Sequence, residues 1–155
     1  MWALVRSLAA YERLEHRVTG SAERLASDLF APRPLIECLV AEEAGTLAGY
    51  ALFHPIYSSF RTEPMMWLED LYVEPAHRGK GLGLELLLGV AKEAEARGCW
   101  RLSWAVLDGN QPSIRFYESF GAVRGEGGWH VYQFERPTLR ALAAGEVPGA
   151  SRDPG

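Results

Sequence analysis

No apolar run in this chain approaches the roughly 20 residues that a membrane-crossing helix needs, so a helical membrane protein is excluded. The opening, Met1 to Tyr11, lacks the charged, apolar and small-residue order of an export signal, and the expectation is a cytoplasmic protein. Only two cysteines occur in 155 residues, Cys38 and Cys99. They are too few for a disulfide framework, and each sits in an apolar stretch as a reduced thiol would. An excess of positive charge is also missing. With a net charge of −4 the chain has no basic surface able to neutralise many phosphates, so nucleic acid is not an expected partner. The sign of that charge suits a small cationic ligand instead. Internal repeats and a domain boundary are absent.

What is present is the composition of an ordinary globular domain, 48% hydrophobic and 23% charged, in a length that holds one real core. Leu4, Leu8, Tyr11 and Leu14 recur at helical spacing, which predicts a helix over Leu4–Arg17. Gly20-Ser21 then breaks and recaps the pattern before a second helix, Ala22–Phe30. From Leu35 the period changes to that of strands. Leu35–Ala41 and Leu47–His54 read as a hairpin around Ala44-Gly45-Thr46, and Met65–Val73 as a mostly apolar central strand. A long amphipathic helix runs to about Arg97, closed by Gly98. Strand Trp100–Val106, helix Asn110–Phe120, strand Trp129–Glu135 and a short helix complete the pattern. The expected fold is α/β (α+β), with a mixed, mostly antiparallel central sheet flanked by helices. It forms a single domain over residues 1–144, and the Gly- and Pro-rich tail 145–155 is expected to be disordered.

Between the central strand and the long helix lies Arg78-Gly79-Lys80-Gly81-Leu82-Gly83. Glycines there let the backbone turn tightly and bring bare N–H groups up to an anion. The helix N-terminus adds partial positive charge, and Arg78 and Lys80 add two cations, so a pyrophosphate fits. The nucleotide loop G-x-x-x-x-G-K-[ST] is excluded because Gly81 follows Lys80 and no hydroxyl follows for magnesium. The dinucleotide fingerprint fails because no acid lies at the required distance, on the strand Arg101 to Trp104.

Glu69 and Asp70 interrupt the central strand. Successive side chains point to opposite faces, so the two acids meet different surroundings, and a carboxylate in such a strand is costly unless paired or used. An alkyl ammonium, with a pKa near 10, must lose a proton before its nitrogen can act as a nucleophile, and a carboxylate such as Glu69 can take it, directly or through water, where it lies near the amine. Asn110, Ser113 and Tyr117 fall at i, i+3 and i+7 on one helix face, while Pro112, Phe116 and Phe120 mark a core face. Asn110 is also a good N-cap. A phenol such as Tyr117 can give a proton or a hydrogen bond to a developing anion. Carboxylate and aromatic faces suit a bound cation, which adds Tyr11, Glu12, Trp104 and Trp129 as candidate pocket residues.

Arg78-x-x-Gly81-x-Gly83, following Leu71-Tyr72-Val73, resembles the acyl-coenzyme A signature of the GNAT superfamily of N-acetyltransferases. Tyr11-Glu12, Cys38-Leu39-Val40-Ala41-Glu42, Leu68-Glu69-Asp70-Leu71-Tyr72-Val73, Asn110-Gln111-Pro112-Ser113-Ile114-Arg115-Phe116-Tyr117, Gly121-Ala122 and Gly128-Trp129 extend the likeness. They resemble the diamine branch, which includes spermidine/spermine and thialysine acetyltransferases. The resemblance implies acetyl-CoA as co-substrate, with its pyrophosphate on residues Arg78, Gly79, Lys80, Gly81, Leu82 and Gly83. Pantetheine would run along Leu71, Tyr72 and Val73, and Asn110, Ser113 and Tyr117 would also touch the cofactor. Glu69 would be base or amine anchor and Tyr117 the general acid, while Tyr11, Glu12, Asp70, Trp104 and Trp129 would surround a small cationic amine. Direct transfer in a ternary complex, no metal and a homodimer complete the expectation. The branch carries consecutive acids before its tryptophan where this chain has Glu126-Gly127-Gly128-Trp129. A GNAT enzyme for a protein N-terminus, aminosugar or amino acid, and a non-catalytic acyl-CoA sensor, stand as alternatives.

Overall fold

The computed structural model describes residues 1–125 and 131–145. Their contacts group into two compact units, residues 1–115 and 116–155. The first opens with helix α1 (Trp2–Glu12), a 3₁₀ turn (Glu15–Arg17) and helix α2 (Ala22–Leu29). Strands β1 (Glu37–Glu43), β2 (Thr46–Ser58) and β3 (Glu63–Val73) follow, then a 3₁₀ turn at Pro75–His77, helix α3 (Leu82–Ala96) and strand β4 (Leu102–Ser103). The sheet order is β1-β2-β3-β4, antiparallel as far as β3 and parallel between β3 and β4. It is the mixed, mostly antiparallel sheet with flanking helices that the sequence implies.

The β1–β2 hairpin turns through Ala44 and Gly45, both at positive φ (50° and 78°), the geometry whose twist matches the flanking strands. Two irregularities shape the ladders. On β2, Ala41 pairs with Gly49 but Glu42 with Leu47, so Ala48 is an extra residue. On β3, Leu52 pairs with Asp70 but Phe53 with Leu68, so Glu69 is a bulge residue. Gly49 is fixed by the same crowding, because a Cβ there would lie 2.6 Å from the backbone oxygen of Tyr72.

Helix α3 packs across β1, β2 and β3, closely enough that a Cβ on Gly89 would meet Leu39 at 2.6 Å. Its buried side chains are Leu86, Leu87, Val90 and Ala94, at the helical spacing the sequence shows. A separate core joins α1 to the sheet. Leu4, Tyr50, Leu52 and Tyr72 are buried together, with Val5, Leu8, Leu29, Ile36 and Cys38 around them. Each such side chain contributes about 1.5–3 kcal/mol on leaving water. That burial holds the C-terminal end of α1 over the face of the sheet that carries Tyr50.

The structure corrects three boundaries. The first helix ends at Glu12 instead of Arg17, because Arg13 takes the left-handed conformation (φ 60°) and only a 3₁₀ turn follows. The strand expected over Trp100–Val106 is reduced to Leu102–Ser103, whose ladder is limited to Met66↔Leu102 and Trp67↔Ser103. In the second unit, the described part (131–135) of the strand expected over Trp129–Glu135 is not a strand, and Val131 and Tyr132 are almost fully exposed.

Helix α4 (Gln111–Glu118) begins in the first unit and ends in the second, where Gly121 at φ 86° follows it and helix α5 (Arg136–Ala143) comes later. Phe116 and Phe120 meet edge to face at 5.1 Å, but Phe120 is half exposed and Pro112 lies on the surface, so this face is not the core one expected. Trp129, its preceding residues from Glu126, and the tail from residue 146 lie outside the described residues.

Candidate active site

Beyond Trp67 the edge of β3 that faces β4 has no further strand beside it among the described residues. Leu71, Tyr72 and Val73 lie on that stretch, and the chain then passes through the 3₁₀ turn into the glycine loop. Gly79 and Gly81 both have positive φ (78° and 89°), and a Cβ added to either would meet nothing within 4 Å. The loop backbone is therefore open to a ligand, directly before the first turn of α3, where Leu82 and Gly83 lie. An unpaired strand edge leading into an open turn of amides at a helix N-terminus suits an extended pantetheine amide chain ending in a pyrophosphate.

The two loop cations are engaged elsewhere. Arg78 donates from Nε to the Val73 carbonyl at 2.8 Å, and its guanidinium lies 4.5 Å from the centre of the Tyr11 ring. Lys80 places Nζ 2.9 and 2.7 Å from the two carboxylate oxygens of Glu43, which also holds His77 Nδ1. Lys80 and His77 hold the Glu43 carboxyl below the usual carboxylate range. The Lys80 ammonium is on Glu43, so Lys80 is expected to add little to anion binding. Lys80→Ala should weaken acetyl-CoA by less than about threefold in isothermal titration, below one tenfold step of 1.4 kcal/mol. A loss of tenfold or more would mean that Lys80 leaves Glu43 for the phosphate.

The bulge overturns the alternation expected of the paired acids: Asp70, opposite Leu52, and Trp67, opposite His54, share a face, and Glu69 turns to that same face to meet Trp67 and His54. Asp70 is half-buried and accepts a hydrogen bond from the Tyr50 hydroxyl at 2.9 Å. Burial pushes its carboxyl up to about 6, the Tyr50 bond opposes the rise, and the negative charges of Glu69 and Glu12 add to it. Burial also raises Glu12, at the end of α1. Glu69 is half exposed, and its Oε2 accepts from the Trp67 indole at 2.8 Å. Three carboxylates thus act on one another across α1 and β3. No described cation is paired with Asp70.

Tyr11 and Glu12 part company. Glu12 acts on Asp70 and Tyr50, whereas Tyr11 turns to the glycine loop, beneath Arg78, and to Asn110, whose Oδ1 lies 3.5 Å from its hydroxyl. Asn110 caps α4 as the sequence suggests, with Oδ1 accepting from the Ser113 backbone N–H at 3.3 Å. In the second unit Tyr117 is half-buried, its ring edge-on to Phe116 at 5.2 Å. Trp104 follows β4 and is also half-buried.

The sequence reading passed over Tyr50, Glu43, His77 and Trp67. Tyr50 can be paired with Asp70 only once the strand register is known, and Glu43 and Lys80 are 37 residues apart.

Residues 2–122 match the model of the Acetyltransferase (GNAT) family. The chain belongs to that family. It is an acetyl-CoA-dependent acetyltransferase. It is 37% identical over 150 residues to a thialysine N-epsilon-acetyltransferase of Sus scrofa, covering 90% of this chain and 88% of that one. It is 35% identical to the human spermidine/spermine N(1)-acetyltransferase-like protein 1, where it spans 90% of its own length but 21% of the longer protein. Among solved structures, an integron cassette protein from the mobile metagenome of V. cholerae superposes with a TM-score of 0.72 at 28% identity, over 88% of this chain and 85% of that one. Among the described residues no cluster of His, Cys, Asp and Glu could hold a metal, and no helix is long and apolar enough to cross a membrane.

Proposed function

We propose that the protein transfers the acetyl group of acetyl-CoA directly to the amine of a small cationic acceptor, a diamine, polyamine or thialysine-like amine, in a ternary complex. The observation that carries this reading is the half-buried Asp70 carboxylate. It lies within the field of Glu12 and Glu69 with no described cation as partner, a setting that an ammonium group would relieve. The names of the relatives, thialysine and spermidine/spermine acetyltransferases, point to the same acceptor class. Acetyl-CoA supplies the acyl thioester. The loop from Arg78 to Gly83 takes its pyrophosphate, chiefly through backbone amides. The β3 edge from Leu71 to Val73 takes its amide chain, and Asn110 and Ser113 at the start of α4 flank it. Glu69 removes a proton from the acceptor ammonium, and Asp70 with Glu12 holds the positive charge. Tyr117 donates a proton to the departing thiolate. Much of the rate then comes from holding amine and thioester in line. Trp104 and Trp129 complete the acceptor pocket in this reading.

By the same resemblance we read residues 1–144 as one acetyltransferase domain, and the protein as a cytoplasmic homodimer whose mass light scattering would measure. The deciding assay is thiol release from acetyl-CoA with spermidine, putrescine, thialysine, lysine, glucosamine and a peptide as acceptors. Turnover confined to diamines, polyamines or thialysine supports the reading. Turnover confined to glucosamine or the peptide, or tight acetyl-CoA binding with no turnover on any amine, overturns it.

A further inference from the structure

His54 is the one titratable side chain in the middle of β2 that none of the roles above uses. It follows the buried run Tyr50-Ala51-Leu52-Phe53, where a polar residue needs a reason. In the ladder it stands directly opposite Trp67, two residues before the bulge at Glu69. Its Nε2 lies 3.9 Å from Glu69 Oε2, the same oxygen that accepts the Trp67 indole bond. Its Nδ1 lies 3.4 Å from the Pro55 carbonyl oxygen, which can only accept. In the tautomer with its proton on Nδ1 that contact is a hydrogen bond, and the Nε2 lone pair faces Glu69. The imidazole is 30% exposed, so it also reaches water. Glu69 Oε1 has no hydrogen-bond partner among the described residues and is left for the acceptor.

We propose that His54 is a relay and positioning residue that carries to solvent the proton Glu69 takes from the acceptor ammonium. The inference rests on the reading of Glu69 as base. The steps balance without any redox partner. An N–H bond of the ammonium breaks and an O–H bond forms on the Glu69 carboxylate, giving a neutral acid. The carboxyl group then turns to carry that proton from Oε1 to the ring side, and the O–H bond breaks as the proton passes to the Nε2 lone pair, restoring the carboxylate and leaving imidazolium. The imidazolium gives the proton to water or buffer and returns to its starting form. One bridging water or a small rotation of Glu69 closes the 3.9 Å gap, as is common where catalytic hydrogen bonds tighten only with substrate bound. An imidazole is more basic than a carboxylate by about two pKa units, so passing the proton on makes its removal from an alkyl ammonium less uphill. Trp67 keeps the carboxylate turned toward the ring during the transfer.

The test compares wild type with His54→Ala, His54→Gln and Glu69→Gln in thiol release with a saturating diamine, with and without added imidazole. His54→Gln keeps most of the side-chain volume opposite Trp67 and guards against a folding defect in the alanine variant. Both His54 variants are expected to lose about tenfold or more in kcat, a loss of about 1.4 kcal/mol in transition-state stabilisation. KM for amine and acetyl-CoA should stay within twofold. Imidazole should restore His54→Ala in a saturable way and leave Glu69→Gln unchanged. Full kcat in both His54 variants, or a loss that imidazole does not restore while Glu69→Gln is inactive, overturns the relay and leaves the base standing. Full activity in Glu69→Gln removes the base itself, whatever the His54 variants do.

Discussion

Replacing Tyr117 by Phe is expected to lower kcat for thiol release by about 100-fold while leaving the affinity for acetyl-CoA within about twofold. Proton donation in a transition state is worth about 10²–10⁴ in rate. The lower end applies here because of the chemistry of the leaving group. A thiol near pKa 8.5 leaves as thiolate far more readily than an amine or alcohol, and a phenol near 10 gives up its proton to it only partly. In the proposed role the hydroxyl therefore works mainly as a strong hydrogen bond to developing charge, and its loss is expected to cost about 2.7 kcal/mol. Phenylalanine keeps the ring and its edge-on contact with Phe116. Single-turnover thiol release beside an acetyl-CoA titration separates the two quantities. Loss of affinity with kcat intact would make Tyr117 a binding residue only.

Asp70→Asn is the second large effect, and it has opposite signs for stability and activity. The folded-state carboxyl is raised from 3.8 to about 6, chiefly by burial. Between those values the native state keeps a proton that the unfolded chain releases, so stability falls as pH rises through that window. Above it the ionised carboxylate costs the fold at most about 3 kcal/mol, and below the unfolded value it costs nothing. Asparagine can still accept the Tyr50 hydroxyl bond. The variant should thus melt several degrees higher than wild type at pH 8, by about 2–4 °C per kcal/mol for a chain of this size, and at the same temperature at pH 4. Activity should run the other way. If Asp70 meets the acceptor ammonium as proposed, removing its charge should lower kcat/KM for a diamine by about 30-fold at pH 8, or about 2 kcal/mol. The gap should narrow below pH 6, where wild-type Asp70 itself becomes protonated. A variant with no gain in melting temperature at pH 8 would show that Asp70 is not held ionised in an unfavourable site. Unchanged kcat/KM would remove it from the acceptor pocket.

The parts of the fold that were legible in sequence are those where local chemistry and tertiary packing agree. β2 and β3 are apolar along most of their length, and α3 shows its buried stripe and closing glycine. The turn at Ala44-Gly45 declares itself by residue type. The first helix was overextended because Leu14 continues the apolar period, while the left-handed turn at Arg13 uses a residue with no preference for it. The strand around Leu102 was overextended for a related reason. Trp100, Leu102, Trp104 and Val106 alternate as strand residues do, but periodicity does not say where the neighbouring strand diverges. In the site, alternation predicts opposite faces for Glu69 and Asp70, and the bulge cancels it by turning Glu69 to the side of Trp67 and His54. Their partners are no more legible. Tyr50 and His54 come to the acids only through a strand register with a bulge in it, and nothing in the sequence marks the residue at which a ladder slips.

That slip has a consequence for how the protein could be rebuilt. Glu69 is the one position in β3 that the ladder with β2 does not count. Deleting it would let Leu68 and Asp70 pair with Phe53 and Leu52 in unbroken succession, and the sheet could close without its bulge. The deletion is expected to give a chain with the architecture of this enzyme, its Tyr50–Asp70 pair and its glycine loop, yet without the proton acceptor proposed for it. Such a chain could serve as a stable scaffold onto which other chemistry is grafted.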